Sequence, residues 1–86
     1  RDPLTGLANR ILFYDRLTQA MAPRRRDDRT VAVVSLDLDD FKMVNDSLGH
    51  PAADSVLVGV AERLSSCARP GDTVARLGGD EFALLI

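Results

Sequence analysis

Two acidic clusters hold the residues of this 86-residue chain whose types and spacing could do chemistry: Asp37-Leu38-Asp39-Asp40-Phe41-Lys42 and Gly78-Gly79-Asp80-Glu81-Phe82. Asp37, Asp80 and a main-chain carbonyl between Asp37 and Asp39 are hard oxygen donors. Such a set suits Mg²⁺, which keeps several waters and takes the rest of its shell from phosphates. Without a cation, carboxylates this close would raise one another's pKa. An EF-hand calcium loop does not fit, because its fifth and sixth positions would fall on Phe41 and Lys42 instead of an acid and a glycine. No Gly-x-x-x-x-Gly-Lys loop is present either, which excludes a P-loop NTPase within these residues. Capping of a short helix is the preferred reading for Asp40 and an open alternative for Asp39.

Lys42 is a compact charge able to neutralise phosphate. Asn45 offers an amide and Asp54 a carboxylate, a combination that suits the O6 acceptor and the N1–H and N2–H donors of guanine. Each taken singly is more often a surface lysine, a cap or a turn residue.

The clusters work together only if the fold joins them. Thr73–Leu77 and Phe82–Ile86 are apolar runs around Gly78-Gly79-Asp80-Glu81, the pattern of a β-hairpin whose glycines take positive φ. Alternation then sends Asp80 and Glu81 to opposite faces. Val31–Leu36 is β-branched and nearly continuous, which predicts a central strand buried on both faces and ending at Asp37. Upstream, Asp2–Arg10 is an ordered loop whose Asn9 caps a helix through Phe13, Leu17, Ala20 and Met21, ended by Pro23. Arg24–Arg29 is a solvated, mixed-sign loop. Phe41–Asp46 is a short helix with free amides in its first turn. Ser47–Pro51 is a loop, and Pro51 suits the start of the following helix. Val56, Leu57, Val60, Ala61 and Leu64 then form one stripe of a helix reaching about Ser66, and Arg69-Pro70-Gly71-Asp72 turns into the hairpin.

A strand–helix–strand crossover leaves its strands parallel, and a hairpin strand returning between them makes a split βαβ, half of a ferredoxin-like sheet. The expected class is therefore mixed α/β (α+β), with Asp37 and Asp80 at one sheet edge, one strand spacing of about 4.8 Å apart.

Composition bounds the rest. One domain is expected, with 45% hydrophobic and 28% charged residues, as in ordinary globular proteins. A net charge of −2 makes no electrostatic case for nucleic acid or an anionic membrane. The single cysteine, Cys67, forms no internal disulfide, fits a reducing compartment and reads as a buried or half-buried structural thiol. No apolar run is long enough to span a membrane, and no signal peptide is visible. The abrupt start at Arg1 and the stop inside an apolar strand at Ile86 lead us to expect a fragment.

Asp2-x-Leu4-Thr5-Gly6-Leu7-x-Asn9-Arg10, Asp37-Leu38-Asp39-x-Phe41-Lys42-x-x-Asn45-Asp46, Gly49-His50 with Asp54, and Gly78-Gly79-Asp80-Glu81-Phe82 together resemble the GGDEF family of diguanylate cyclases. The resemblance covers all 86 residues, as the N-terminal half of such a domain. It implies a nucleotidyl-cyclase palm-like fold and the joining of two GTP molecules into cyclic di-GMP with release of two pyrophosphates. Catalysis would take place in a cytoplasmic homodimer, each subunit holding one GTP, as part of a larger protein whether membrane-bound or not. Asp37, the Leu38 main-chain carbonyl and Asp80 would bind Mg²⁺ or Mn²⁺. Asn45 and Asp54 would read guanine, and Lys42 with the Asp40 and Phe41 amides would hold phosphates. Gly78 and Gly79 would admit the nucleotide, and Asp80 or Glu81 would serve in catalysis. Arg69 and Asp72 fall where the family places its inhibitory product site; a plain polar turn is the alternative.

Two features depart from the family: Ala53 stands where glycine is usual before the guanine-reading acid, and the second half of the domain is absent. A regulatory module that binds GTP or cyclic di-GMP without catalysis is the competing reading, although binding-only members typically lose the intact Gly-Gly-Asp-Glu-Phe. A related palm-type nucleotidyl transferase is a third, against which Asn45 and Asp54 argue.

Overall fold

A computed structural model describes residues 1–22 and 30–86. The expected end of the first helix at Pro23 and the charged loop 24–29 lie outside the described residues, except that 1–22 already contains the helix. That helix, α1 (Arg10–Met21), is capped by Asn9, whose side-chain oxygen accepts the Leu12 amide at 2.9 Å. The remaining elements are β1 (Val33–Asp37), α2 (Phe41–Leu48), α3 (His50–Cys67), β2 (Thr73–Gly78) and β3 (Glu81–Leu85).

The sheet has the order β1-β3-β2, with both pairs antiparallel. β1 and β2 therefore run parallel, and the returning hairpin strand lies between them, the split βαβ expected from the connectivity. Alternation along β3 divides the core in two. On one face Ala83 and Leu85 join Ala75 and Ala8 beneath Phe13 of α1. On the other, Phe82 packs with Leu57 and Ala61 of α3 and with Leu7, and Leu36, Leu38 and Phe41 close round it. Phe13 and Phe82 are the large side chains that are fully buried.

Several expectations are corrected. Among the described residues β1 pairs only with β3, so it lies at one edge of this sheet, with Val33 and Val34 49% and 40% exposed. A β-branched run marks a strand, but the hydrogen-bond order decides which strand is central. The loop expected over Ser47–Pro51 shrinks to Gly49, at φ 87°, because Pro51 sits in the first turn of α3, where it needs no amide partner. Ala53 is a buried residue of α3. Val56 is exposed, and the stripe that packs is Leu57, Ala61 and their neighbours. Cys67 is exposed, since it is the last residue of α3 and the chain turns extended at Ala68. No helix among the described residues is long and apolar enough to cross a membrane.

Candidate functional site

The hairpin tip and the end of β1 meet. Asp37 pairs with Glu81 in the ladder, and the next amide, Leu38 N–H, donates to the Asp80 carbonyl at 3.3 Å. The tip is shaped by a register shift between Arg76 and Gly78, which makes Leu77 the extra residue of a bulge, and by Gly78 and Gly79 at φ 151° and 49°. A Cβ on either glycine would meet no protein atom within 4 Å. Backbone conformation, not crowding by the protein, is what asks for glycine there. Asp80 lies in the turn itself, so strand alternation does not fix its side chain against that of Glu81.

From β1 the chain passes through Asp39 to Asp40, which occupies the N-cap position of α2 but makes no side-chain cap bond. Capping is therefore not what Asp40 does. Its φ of 58° is the one left-handed conformation at a non-glycine among the described residues, a strained backbone of the kind that gathers at functional sites. Val44 N–H to the Asp40 carbonyl is the first bond of the helix, so the amides of its first turn have no intrahelical partner. Phe41 anchors this turn in the Phe82 cluster, while Lys42 is exposed. One helical turn later, the Asn45 side-chain oxygen is buried and accepts no hydrogen bond. It is the single such orphan among the described residues. Its backbone carbonyl accepts from Gly49, the hinge into α3, and Asp54 is exposed on the second turn of that helix.

Asp37, Asp80 and the Leu38 carbonyl bring two carboxylates and one carbonyl from adjoining segments. Among the described residues no group of three or more carboxylate, imidazole or thiol side chains is placed to hold a metal ion.

Arg69 and Asp72 lie elsewhere. They precede β2; Asp72 is six residues from Gly78, roughly 20 Å along an extended strand. Asp72 accepts the Arg69 amide at 2.9 Å, and its own amide donates to the Arg69 carbonyl at 2.9 Å, so a closed polar turn is formed. Both residues line an open groove of about 440 Å³ with Arg1, Leu7 and Val74.

Sequence reasoning left Arg76 and Asp2 without a task, although an arginine inside Val74-Ala75-Arg76-Leu77 must find a partner. Arg76 Nη1 lies 3.1 Å from Asp2 Oδ1, both side chains mostly buried, and Nε donates to the Gly79 carbonyl at 3.0 Å. Asp2 Oδ2 also accepts from the Thr5 amide and hydroxyl at 2.9 and 2.7 Å. Burial alone would raise the Asp2 pKa, but the Thr5 bonds and the Arg76 charge outweigh it and hold the carboxyl below its ordinary 3.8. On the exposed side, Arg10 reaches Glu81 at 3.5 Å and the Leu77 carbonyl at 3.4 Å.

A family model described as the GGDEF domain of diguanylate cyclases matches residues 1–86. The chain is 56% identical over 85 residues to the bifunctional diguanylate cyclase/cyclic di-GMP phosphodiesterase MucR of Pseudomonas aeruginosa, covering 99% of this chain and 12% of MucR. A solved structure of the GGDEF domain of TpbB from the same organism superimposes with a TM-score of 0.93 at 48% identity, covering all of this chain and 50% of that one. The GGDEF domain of DgcB from Caulobacter crescentus, solved in complex with cyclic di-GMP, gives 0.92 at 41% identity, over 99% of this chain and 48% of that one. The chain thus spans at most about half the length of these relatives.

Proposed function

The chain belongs to the GGDEF diguanylate cyclase family over residues 1–86, and on that premise we propose that it supplies the nucleotide-binding half of a domain that condenses two GTP into cyclic di-GMP. The observation that carries this reading is the orphaned Asn45 oxygen. A buried acceptor without a donor costs on the order of 1–3 kcal/mol, and the N–H donors on the edge of guanine would satisfy it. Asp54, on the helix packed against α2, is the second reader of that edge.

The amides of Asp40 and Phe41, with Lys42, hold the phosphates at the start of α2. Asp37, the Leu38 carbonyl and Asp80 hold Mg²⁺ or Mn²⁺, which when bound would offset the charge developing on the phosphates and pyrophosphate. The 3′-hydroxyl of one GTP attacks the α-phosphorus of the other, the bond to pyrophosphate breaks, and the hydroxyl proton passes to Asp80 or Glu81. The step occurs twice, between two half-sites that face each other in a homodimer. Arg69, free of ion pairs among the described residues, and Asp72 bind the product at the remote groove and slow the enzyme.

The test uses the full-length protein with GTP and Mg²⁺, its products read by mass spectrometry. Cyclic di-GMP that disappears in Asp80→Ala establishes the cyclase. A second reading, a regulatory module, draws on the separate groove at Arg69. Saturable binding of GTP or cyclic di-GMP without any product would establish it instead.

A further inference from the structure

We propose that Arg76 is a positioning residue for the Gly79-Asp80 turn and that Asp2 acts through it, so that the loop at residues 2–8 is part of the support of the active site. The proposal rests on the cyclase reading for its consequence in turnover, but its structural content stands apart from that reading.

Three observations carry it. The guanidinium of Arg76 bridges two acceptors, Asp2 Oδ1 at 3.1 Å and the Gly79 carbonyl at 3.0 Å. A planar fork holds such a pair in fixed geometry, whereas an ammonium is a single point that cannot span both. Asp2 is itself fixed, by Thr5 through two bonds and by its amide on the Leu7 carbonyl at 2.7 Å. The loop is in turn locked to β2, with Ala8 N–H on the Val74 carbonyl at 3.2 Å and Arg76 N–H on the Ala8 carbonyl at 3.0 Å. The line of contacts therefore runs from the loop through Arg76 to Gly79, then to Asp80, whose carbonyl receives Leu38 N–H beside Asp37. Arg10 grips the same hairpin, but its ion pair is exposed on both sides and so weaker.

In the full-length protein, Asp2→Asn and Arg76→Lys are compared with wild type by backbone hydrogen–deuterium exchange and by turnover of GTP with Mg²⁺. Both variants should speed exchange threefold or more at the Leu38 amide, which donates to the Asp80 carbonyl, leaving Leu57 to Ala61 of α3 as in wild type. They should also lower kcat about tenfold while KM for GTP stays within about threefold, because the guanine readers on α2 and α3 are untouched. Wild-type exchange at the tip in both variants overturns the proposal, as does faster exchange everywhere at once or a rise in KM with kcat unchanged. A wild-type protein that makes no cyclic di-GMP ends the cyclase reading alone, and the exchange pattern then decides the positioning role.

Discussion

Asp37 and Glu81 stand directly opposite each other in the β1–β3 ladder, two carboxylates side by side on one face of the sheet. Like charges in such a pair are destabilising, by a few tenths of a kcal/mol where water screens them. Arg10, reaching Glu81 from the α1 side at 3.5 Å, offsets part of this repulsion.

Asp37→Asn should therefore leave the metal-free protein as stable as wild type, or up to about 0.5 kcal/mol more stable. It should also abolish stabilisation by Mg²⁺ with GTP. A ligand at a hundred times its Kd adds about 2.7 kcal/mol, so urea midpoints with and without Mg²⁺ and GTP separate the two effects. A variant that keeps the full metal-dependent gain would remove Asp37 from the metal set.

Asn45→Ala deletes the orphaned acceptor. Removing an unsatisfied buried oxygen relieves a desolvation cost, and the small cavity left behind offsets it. Stability should change by less than about 1 kcal/mol. Affinity for GTP should fall roughly tenfold or more, as a lost hydrogen bond to the base implies, while affinity for ATP changes little. Calorimetric titration of the full-length protein with both nucleotides checks the ratio.

The path of the chain was legible because local signals agreed with one another. A β-branched run into Asp37, a helical stripe at Leu57 and Ala61, and Gly78-Gly79 between apolar runs leave few ways to build a sheet. Cap and turn chemistry likewise predicted Asn9 and the positive φ at the hairpin. What stayed hidden depends on partners distant in sequence. Asp40 has a capping side chain, yet the backbone turns left-handed there and the side chain makes no cap bond. Arg76 is 74 residues from Asp2, and neither residue betrays the other.

Asp2 also sets a pH dependence. Its carboxyl is depressed below 3.8 in the folded chain, so its contribution is complete above the unfolded value near 3.8 and is lost as pH falls through the lower folded value. Wild type should therefore lose stability below about pH 4. Asp2→Asn should be less stable than wild type at neutral pH and lose less on acidification, so the two curves converge in acid. Urea midpoints from pH 7 down to pH 2.5 test this, and parallel curves would mean that Asp2 carries no linked proton.

Gly79, at φ 49°, separates backbone strain from ligand approach. Alanine in the left-handed region costs about 1–2 kcal/mol, whereas asparagine visits it more readily. Neither side chain meets protein within 4 Å at its Cβ, so the folded protein should rank glycine, asparagine, alanine in stability and no lower than strain predicts. Turnover should follow a different order. If the nucleotide lies against this turn, any Cβ blocks it, and Gly79→Asn should lose activity at least as strongly as Gly79→Ala despite being the more stable of the two. Thermal melts and initial rates on the same samples decide the matter, and activity that tracks stability would place the nucleotide away from Gly79.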